Sequence, residues 1–302
     1  MPQKIRTKLD GHEIELTNLE KVLFPSGTTK SELIGYYLKI APEMLPHLEG
    51  RPLSFQRFPD GVDSGGFFQK QIPASYPSWI KRIPLGQNEI VDYALADSAA
   101  DLVYFAQQAV LVIHTALARA DKPHHPDLMV FDLDPQMDSF EPVREAAFGL
   151  KELLESIGLE SYVKVTGGRG LHVTVPLDRG DTFDGVHSFA LKVATFYQSK
   201  HPADTTVEMS KAKRGNRVFI DTNRNHFSQT AVAPYSVRAR TRPTVAAPIT
   251  WEELENSSLK PDGFAIDNIF KLLEHRPDPW RGIYKKGQSL KEAAEKLKIL
   301  ES

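Results

Sequence analysis

Cysteine is absent from the 302 residues, which excludes a disulfide framework and every thiolate metal site and leaves oxygen and imidazole as the metal donors. No run approaches the roughly 20 apolar residues of a membrane span, and Met1-Pro2-Gln3-Lys4-Ile5-Arg6 lacks the apolar core of a secretory signal. These absences predict a soluble protein of a reducing, intracellular compartment, away from any membrane. Excess charge of one sign is missing too: 37 Lys and Arg stand against 39 Asp and Glu, so bulk charge alone argues against a nucleic-acid binder. There is no internal repeat, low-complexity tract, P-loop, HExxH pair or GxSxG elbow, which removes repeat proteins, zincin proteases and α/β-hydrolases.

What is present is a 41% hydrophobic chain, long enough to bury a full core. Mixed helical and strand patterns make a single α/β unit the simplest expectation. Ile14-Glu15-Leu16 reads as a strand, 19–24 as a short helical turn closed by Pro25, and Thr29 with Glu32 as the capping box of a helix from Lys30. Residues 50–77 read as loop-rich, and a second helix is expected from about Ala99 to Ala118, carrying His114 off its apolar stripe. Then come strand 128–134, helix 141–157, strand 161–166, a Gly-rich turn and strand 171–175. A helix over about 184–199, strands at 217–221 and 231–240, and a last helix over 290–300 complete the expectation.

Chemistry concentrates in three places. Leu128-Met129-Val130-Phe131-Asp132-Leu133-Asp134-Pro135 ends in two acids one residue apart; on a strand they share a face, while Met129, Phe131 and Leu133 point into a core. Paired carboxylate oxygens suit a hard divalent cation, although DxD also occurs as a plain polar strand end. Val163-Lys164-Val165-Thr166-Gly167-Gly168-Arg169-Gly170-Leu171-His172-Val173 places three glycines beside Arg169 and His172, so backbone N–H groups can approach an anion closely. Arg217-Val218-Phe219-Ile220-Asp221 is again an apolar strand ending in an acid. Charge is also local: from Glu208 to Arg242 the cations are Lys211, Lys213, Arg214, Arg217, Arg224, Arg238, Arg240 and Arg242, against Glu208 and Asp221 alone. A solvated basic face is the ordinary reading; alternation at 238, 240 and 242 on a strand would instead aim three guanidinium groups at one phosphate-binding surface. Three acids at strand ends with these partners describe a two-metal nucleotidyl-transfer site.

DLDP, TGGRGLHV, VFIDTNRN and YSVRAR together resemble the motif set of the archaeo-eukaryotic primase (primase-polymerase) superfamily, and more closely the polymerase domain of bacterial DNA ligase D, from Leu16 to Trp280. The resemblance implies an α+β fold, with a catalytic core of mixed and antiparallel sheets flanked by helices. It implies that Asp132, Asp134 and Asp221 hold two Mn²⁺ or Mg²⁺ ions. Arg169, His172, Arg224, Arg238 and Arg240 would bind the nucleotide, chiefly its triphosphate, with Thr166 and His114 near the sugar. Lys21 and Lys30 would take a DNA 5′-phosphate, Lys30 at a helix start where an anion is favoured. Phe67 and Phe68 would stack on template bases, their ordinary reading being core. Thr166 and Arg169 stand where the family's hairpin usually has Ser and Lys, and Thr115-Ala116-Leu117 follows His114 in place of a tryptophan-containing stretch.

One domain over 1–302 is expected, with a DNA-end-binding part over about 1–125, a catalytic core over about 126–245 and a packing segment over about 246–302. The resemblance implies a cytoplasmic, nucleoid-associated bacterial enzyme adding NTPs, and dNTPs less readily, at gaps or broken ends bearing a 5′-phosphate. Ku and a separate DNA ligase are its implied partners in non-homologous end joining. Lys260-Pro261-Asp262-Gly263 matches the KxDG adenylation signature of ligases, yet too short a stretch follows for an adenylation domain, so it reads as a loop. Two other functions compete: a non-catalytic DNA-end-binding module, and a metal-dependent phosphohydrolase or nuclease, which needs no triphosphate-gripping hairpin.

Overall fold

Backbone propensity and capping chemistry lay out the elements of the computed structural model, which describes residues 4–86 and 89–301. The first three residues of the N-terminus read above lie outside it. In chain order the strands and helices are β1 (Lys4–Leu9), β2 (His12–Thr17), α1 (Lys30–Leu48), β3 (Leu53–Arg57), β4 (Phe67–Gln69), β5 (Arg82–Leu85), β6 (Val91–Ala94), α2 (Ala99–Gln107), β7 (Val110–Ala116), β8 (Leu128–Asp134), α3 (Glu141–Ser156), β9 (Tyr162–Val165) and β10 (Leu171–Pro176). They continue with α4 (Phe183–Lys200), β11 (Thr205–Thr206), α5 (Lys211–Arg214), β12 (Val218–Asp221), β13 (Thr230–Val232), β14 (Ala247–Ile249), α6 (Trp251–Glu255), α7 (Ile269–His275) and α8 (Leu290–Glu301). Among the described residues no helix is long and apolar enough to cross a membrane.

The chain packs into two units. The first takes residues 1–121, 230–246 and 264–276; the second takes 122–229, 247–263 and 277–302. Unit one holds a sheet of order β13-β7-β3-β6-β5, with β4 on β3, and the β1-β2 hairpin. Its helix α1 starts where expected: Thr29 Oγ1 accepts from the Glu32 N–H, and Glu32 reaches back to the Thr29 N–H. Leu33, Tyr37, Ile40, Phe55 and Phe105 form its fully buried core. Unit two holds a sheet of order β11-β12-β8-β10-β9-β14, antiparallel except for the β11–β12 pair. Both α3 and α4 pack on it, burying Phe131 and Leu133. Mixed and antiparallel sheets flanked by helices are thus present.

Four expectations need correction. The helix from Ala99 ends at Gln107; Ala109 takes a positive φ of 57°, and the β-branched, apolar run from Val110 continues as β7. His114 therefore stands on a strand. The loop-rich region 50–77 contains β3 and β4, and 19–24 forms turns and a bridge from Val22 to Thr29 rather than a helical turn. Strand 231–240 stops at Val232; only a Val237–Val245 bridge follows, because Pro234 and Pro243 each remove a ladder donor.

Asn225 ties the centre of unit two together. Fully buried, its amide accepts from the Val130 N–H at 2.8 Å and donates to the Val130 carbonyl at 2.7 Å and to the Thr222 carbonyl at 2.8 Å. One side chain thus completes both backbone groups of a β8 residue as a neighbouring strand would. Asn225→Ala should leave two buried backbone groups unsatisfied and cost about 2–4 kcal/mol in urea unfolding. A loss of only about 0.5 kcal/mol, the level of a surface substitution, would contradict this role.

Candidate active site

Register, more than sequence proximity, assembles the site in unit two. Asp221 on β12 lies opposite Asp132 on β8, Asp132 opposite His172 on β10, and His172 opposite Lys164 on β9. Directly opposed residues project to the same face, so two acids, an imidazole and an ammonium form one row across four strands. Asp134 shares that face one pleat further along. Lys164, buried on β9, was not read as a site residue; period-two alternation from Thr166 was the signal that placed it on this face.

Electrostatics distinguishes the two β8 acids. Burial opposes ionisation of Asp132, yet His172 and Arg224 outweigh it and hold the carboxyl well below the usual range. His172 Nε2 lies 3.4 Å from one Asp132 oxygen and Arg224 Nε 3.3 Å from the other. His172 itself is pushed down to about 4, first by burial and then by Lys164. It is therefore neutral near pH 7, and its Nε2–H serves Asp132 as a neutral donor while buried Nδ1 has no hydrogen-bond partner. Asp134 moves the other way: burial and then the Asp132 charge raise it, against the opposing pull of Arg169, Arg214 and Lys211. Arg214 is fixed over the Phe219 ring at 3.5 Å and donates to the Glu208 and Met209 carbonyls. Asp221 Oδ1 accepts from the Asn223 backbone N–H at 2.8 Å and from its side-chain amide at 2.7 Å.

The Gly-rich turn closes the β9–β10 hairpin beside these acids. Gly167 has a φ of 66°, and a Cβ at Gly170 would collide with the Leu133 carbonyl oxygen. Both positions therefore require glycine. Thr166 Oγ1 donates to the Gly170 carbonyl at 3.0 Å, and Arg169, exposed at the tip, donates to the Pro135 carbonyl at 3.4 Å. Among the described residues no three His, Asp or Glu side chains converge closely enough to hold an ion. The donor set nonetheless fits a hard cation: all three acids offer oxygen, and Asp134 is raised by burial and then by the Asp132 charge.

The remaining candidates belong to unit one. Lys21 and Lys30 are joined by a backbone bond from the Lys30 N–H to the Lys21 carbonyl at 2.8 Å. Lys21 Nζ pairs with Asp60 at 2.8 Å. Lys30 is buried, donates to the Thr17 and Gln107 carbonyls at 3.1 Å each, and is lowered by burial and then by Lys21. Phe67 and Phe68 are 49% and 50% exposed on β4, which rules out the core reading. The Phe68 ring lies 5.2 Å from His114, and the Arg57 guanidinium 5.6 Å from Phe67. Arg238, Arg240 and Arg242 do not alternate along a strand: Arg238 N–H bonds to the Thr244 carbonyl at 2.8 Å, and Arg242 pairs with Asp267 at 2.8 Å.

Comparison with known proteins identifies the family. The sequence pattern of the family described as LigD, primase-polymerase domain, matches residues 29–280. The chain belongs to that family. It is 40% identical over 258 residues to the multifunctional non-homologous end joining protein LigD of Mycobacterium bovis, covering 82% of this chain and 34% of that protein. A relative of the same name in Mycolicibacterium smegmatis is 38% identical over 270 residues, covering 88% and 35%. The chain thus spans about a third of the length of these LigD proteins. Among solved structures, the polymerase domain of Mycobacterium tuberculosis ligase D in complex with DNA superposes with a TM-score of 0.85 at 36% identity, covering 91% of this chain and 99% of that one.

The depressed His172 has a consequence for stability. Its folded pKa lies below the unfolded value, so the unfolded chain takes up the proton first as pH falls, and stability is lost from about 6.5 down to about 4. Between pH 7 and pH 5 the wild type should lose roughly 2 kcal/mol more than His172→Gln in urea unfolding. Equal losses in the two proteins would show that the imidazole is not held neutral.

Proposed function

We propose that this LigD-family domain is a template-directed primase-polymerase that adds nucleotides to DNA primers at gaps or broken ends in bacterial non-homologous end joining. The observation carrying this reading is the four-strand row Asp221–Asp132–His172–Lys164 beside a Gly-rich, Arg-bearing turn. Acids alone would suit a nuclease equally; the turn adds a cradle of backbone N–H groups for a triphosphate. DNA in the structure of the Mycobacterium tuberculosis relative supports a DNA substrate for this chain.

In this reading Asp132, Asp134 and Asp221 hold two divalent ions, Mn²⁺ or Mg²⁺, which supply nucleophile activation and neutralise developing charge on the triphosphate when bound. The protein's own groups do the rest. Asp132 stays ionised because His172 and Arg224 hold it so. Arg169, Arg224 and the turn N–H groups orient the phosphates, with Thr166 near the sugar. Exposed Phe67 and Phe68 offer flat apolar surface to template bases, and Lys21 with Lys30 takes the downstream 5′-phosphate. Ku and a DNA ligase are the partners this role calls for. The alternative is a non-catalytic DNA-end-binding module, against which the acids at all three positions, Asp132, Asp134 and Asp221, speak, and one assay separates the two.

Primer extension on gapped DNA, with NTP or dNTP and with Mn²⁺ or Mg²⁺, is that assay. Asp132→Ala should lower extension by orders of magnitude while DNA affinity persists, because phosphate contacts lie elsewhere. Wild-type protein that binds gapped DNA yet extends nothing in either metal would establish the end-binding module instead.

End recognition is tested separately. Lys30 is tied into the core, so its removal would also perturb packing, and Lys21→Ala is the cleaner probe. Loss of one charge-assisted contact, roughly 1.5–3 kcal/mol, should erase about ten- to a hundredfold of the preference for a 5′-phosphorylated gap. An unchanged preference would place the phosphate pocket elsewhere.

A further inference from the structure

Between β11 and β12, segment 208–217 of unit two carries a thioether to which the proposed polymerase chemistry gives no task. Met209 is 60% exposed, whereas Met44 and Met129 are fully buried and Met137 is half-buried. Exposure governs which methionine sulfur a soluble oxidant reaches, so Met209 stands first in this group.

The sulfur also reaches the acid row through one side chain. Met209 Sδ accepts from Asn223 Nδ2 at 3.1 Å, and the same Nδ2 donates to Asp221 Oδ1 at 2.7 Å. A primary amide nitrogen has two hydrogens, so Asn223 gives one to the surface thioether and one to the carboxylate. Its backbone N–H goes to Oδ1 as well, at 2.8 Å. Both donors therefore fall on one oxygen and fix how the carboxylate is turned. The Met209 main chain is held in turn: its carbonyl accepts from Arg214 Nη2 at 2.8 Å, and the Arg214 guanidinium lies 3.5 Å from the Phe219 ring.

Oxidation changes what Asn223 faces. A thioether is a weak acceptor, while a sulfoxide is polar and carries negative charge on an oxygen one bond beyond the sulfur. The 3.1 Å contact is already at hydrogen-bond length and has no room for an atom between sulfur and nitrogen. With the Met209 backbone held by Arg214, the amide is the part that yields, and turning it toward the new oxygen takes Nδ2 off Asp221.

We propose that Met209 is a modification site: a peroxide converts it to the sulfoxide, which draws the Asn223 amide from Asp221 and weakens divalent-ion binding at the acid row. In that step the peroxide O–O bond breaks and an S=O bond forms; sulfur loses two electrons, and the second oxygen takes both peroxide protons and leaves as water. The effect on ion binding rests on the reading of Asp132, Asp134 and Asp221 as metal ligands. Asn223 is a positioning residue here, acting through Asp221.

Graded hydrogen peroxide in EDTA, followed by desalting and peptide mass spectrometry, should add oxygen to Met209 before Met44, Met129 or Met137. Isothermal titration with Mn²⁺, without nucleotide or DNA, should then show the oxidised protein binding at least about tenfold more weakly than the untreated one, the usual scale for losing a group that orients a metal ligand. Methionine sulfoxide reductase should restore the affinity. Met209→Leu, which cannot be oxidised at this position, should bind Mn²⁺ equally before and after peroxide. Asn223→Ala should bind weakly from the start, with no further loss on oxidation. The urea midpoint of the oxidised protein should be unchanged; a lowered midpoint would assign the loss to unfolding and overturn the inference. Oxidation of Met137 or a buried methionine ahead of Met209, unchanged Mn²⁺ affinity in the Met209 sulfoxide, or an equal loss in peroxide-treated Met209→Leu would each overturn it while leaving the metal reading intact. Untreated protein that binds no Mn²⁺ would overturn both.

Discussion

Like charges held on neighbouring strands are the constraint around which unit two is organised. Once β8 pairs with β12 in the observed register, Asp132 and Asp221 stand opposite each other and Asp134 follows on the same face. Such a cluster cannot be buried ionised without compensation. The compensation is uneven: Asp132 has His172 and Arg224 on its two oxygens, whereas Asp134 has cations only at longer range. One acid is satisfied by protein groups and the other is left raised, a polarity that suits a site meant to receive cationic charge.

The same constraint explains groups that carry no reactive function. Asn225 completes the β8 backbone at Val130, two residues before Asp132, so the strand cannot slide. A slip of one residue would turn both acids to the opposite face, into the layer of Phe131 and Leu133. Asn223 turns the Asp221 carboxylate by binding one of its oxygens. In Val218-Phe219-Ile220-Asp221-Thr222-Asn223-Arg224-Asn225, chemistry and scaffolding therefore alternate: one acid for the site, one arginine on the facing acid, and two asparagines that hold strand and carboxylate in place.

Much of unit two was legible because its signals are local. Period-two alternation placed Asp132 and Asp134 together, three glycines in four positions marked the hairpin, and amphipathic runs marked α3 and α4. Unit one was harder to read. Residues 99–118 carry apolar spacing compatible with a helix throughout, and a single positive-φ residue, Ala109, converts the second half to a strand. That conversion depends on β7 finding β3 and β13 as partners, which no local pattern reveals. β3 and β4 escaped notice for the same reason, their short runs being interrupted by glycine, proline and charge. Register, too, was invisible: nothing in Val163-Lys164-Val165 says that Lys164 lies in line with His172.

The arginines of 238–242 show where an alternation argument stops. Spacing of two puts side chains on one surface only when backbone partners keep the strand extended, and Pro234 and Pro243 withhold those donors. Arg242 is instead drawn to Asp267, while Arg238 is held by a backbone bond to Thr244. A phosphate-binding role for Arg238 and Arg240 therefore cannot be derived from a shared strand face; the proposed role would rest on the loop that carries them. Loops bring charged groups to a ligand without the rigidity of a sheet, whereas Asp132, Asp221 and His172 are fixed by register. If the proposed polymerase reading holds, acids on paired strands and arginines on turns form a division that precision would require: an error of about an ångström in the first is costly to chemistry, while long flexible side chains in the second absorb it.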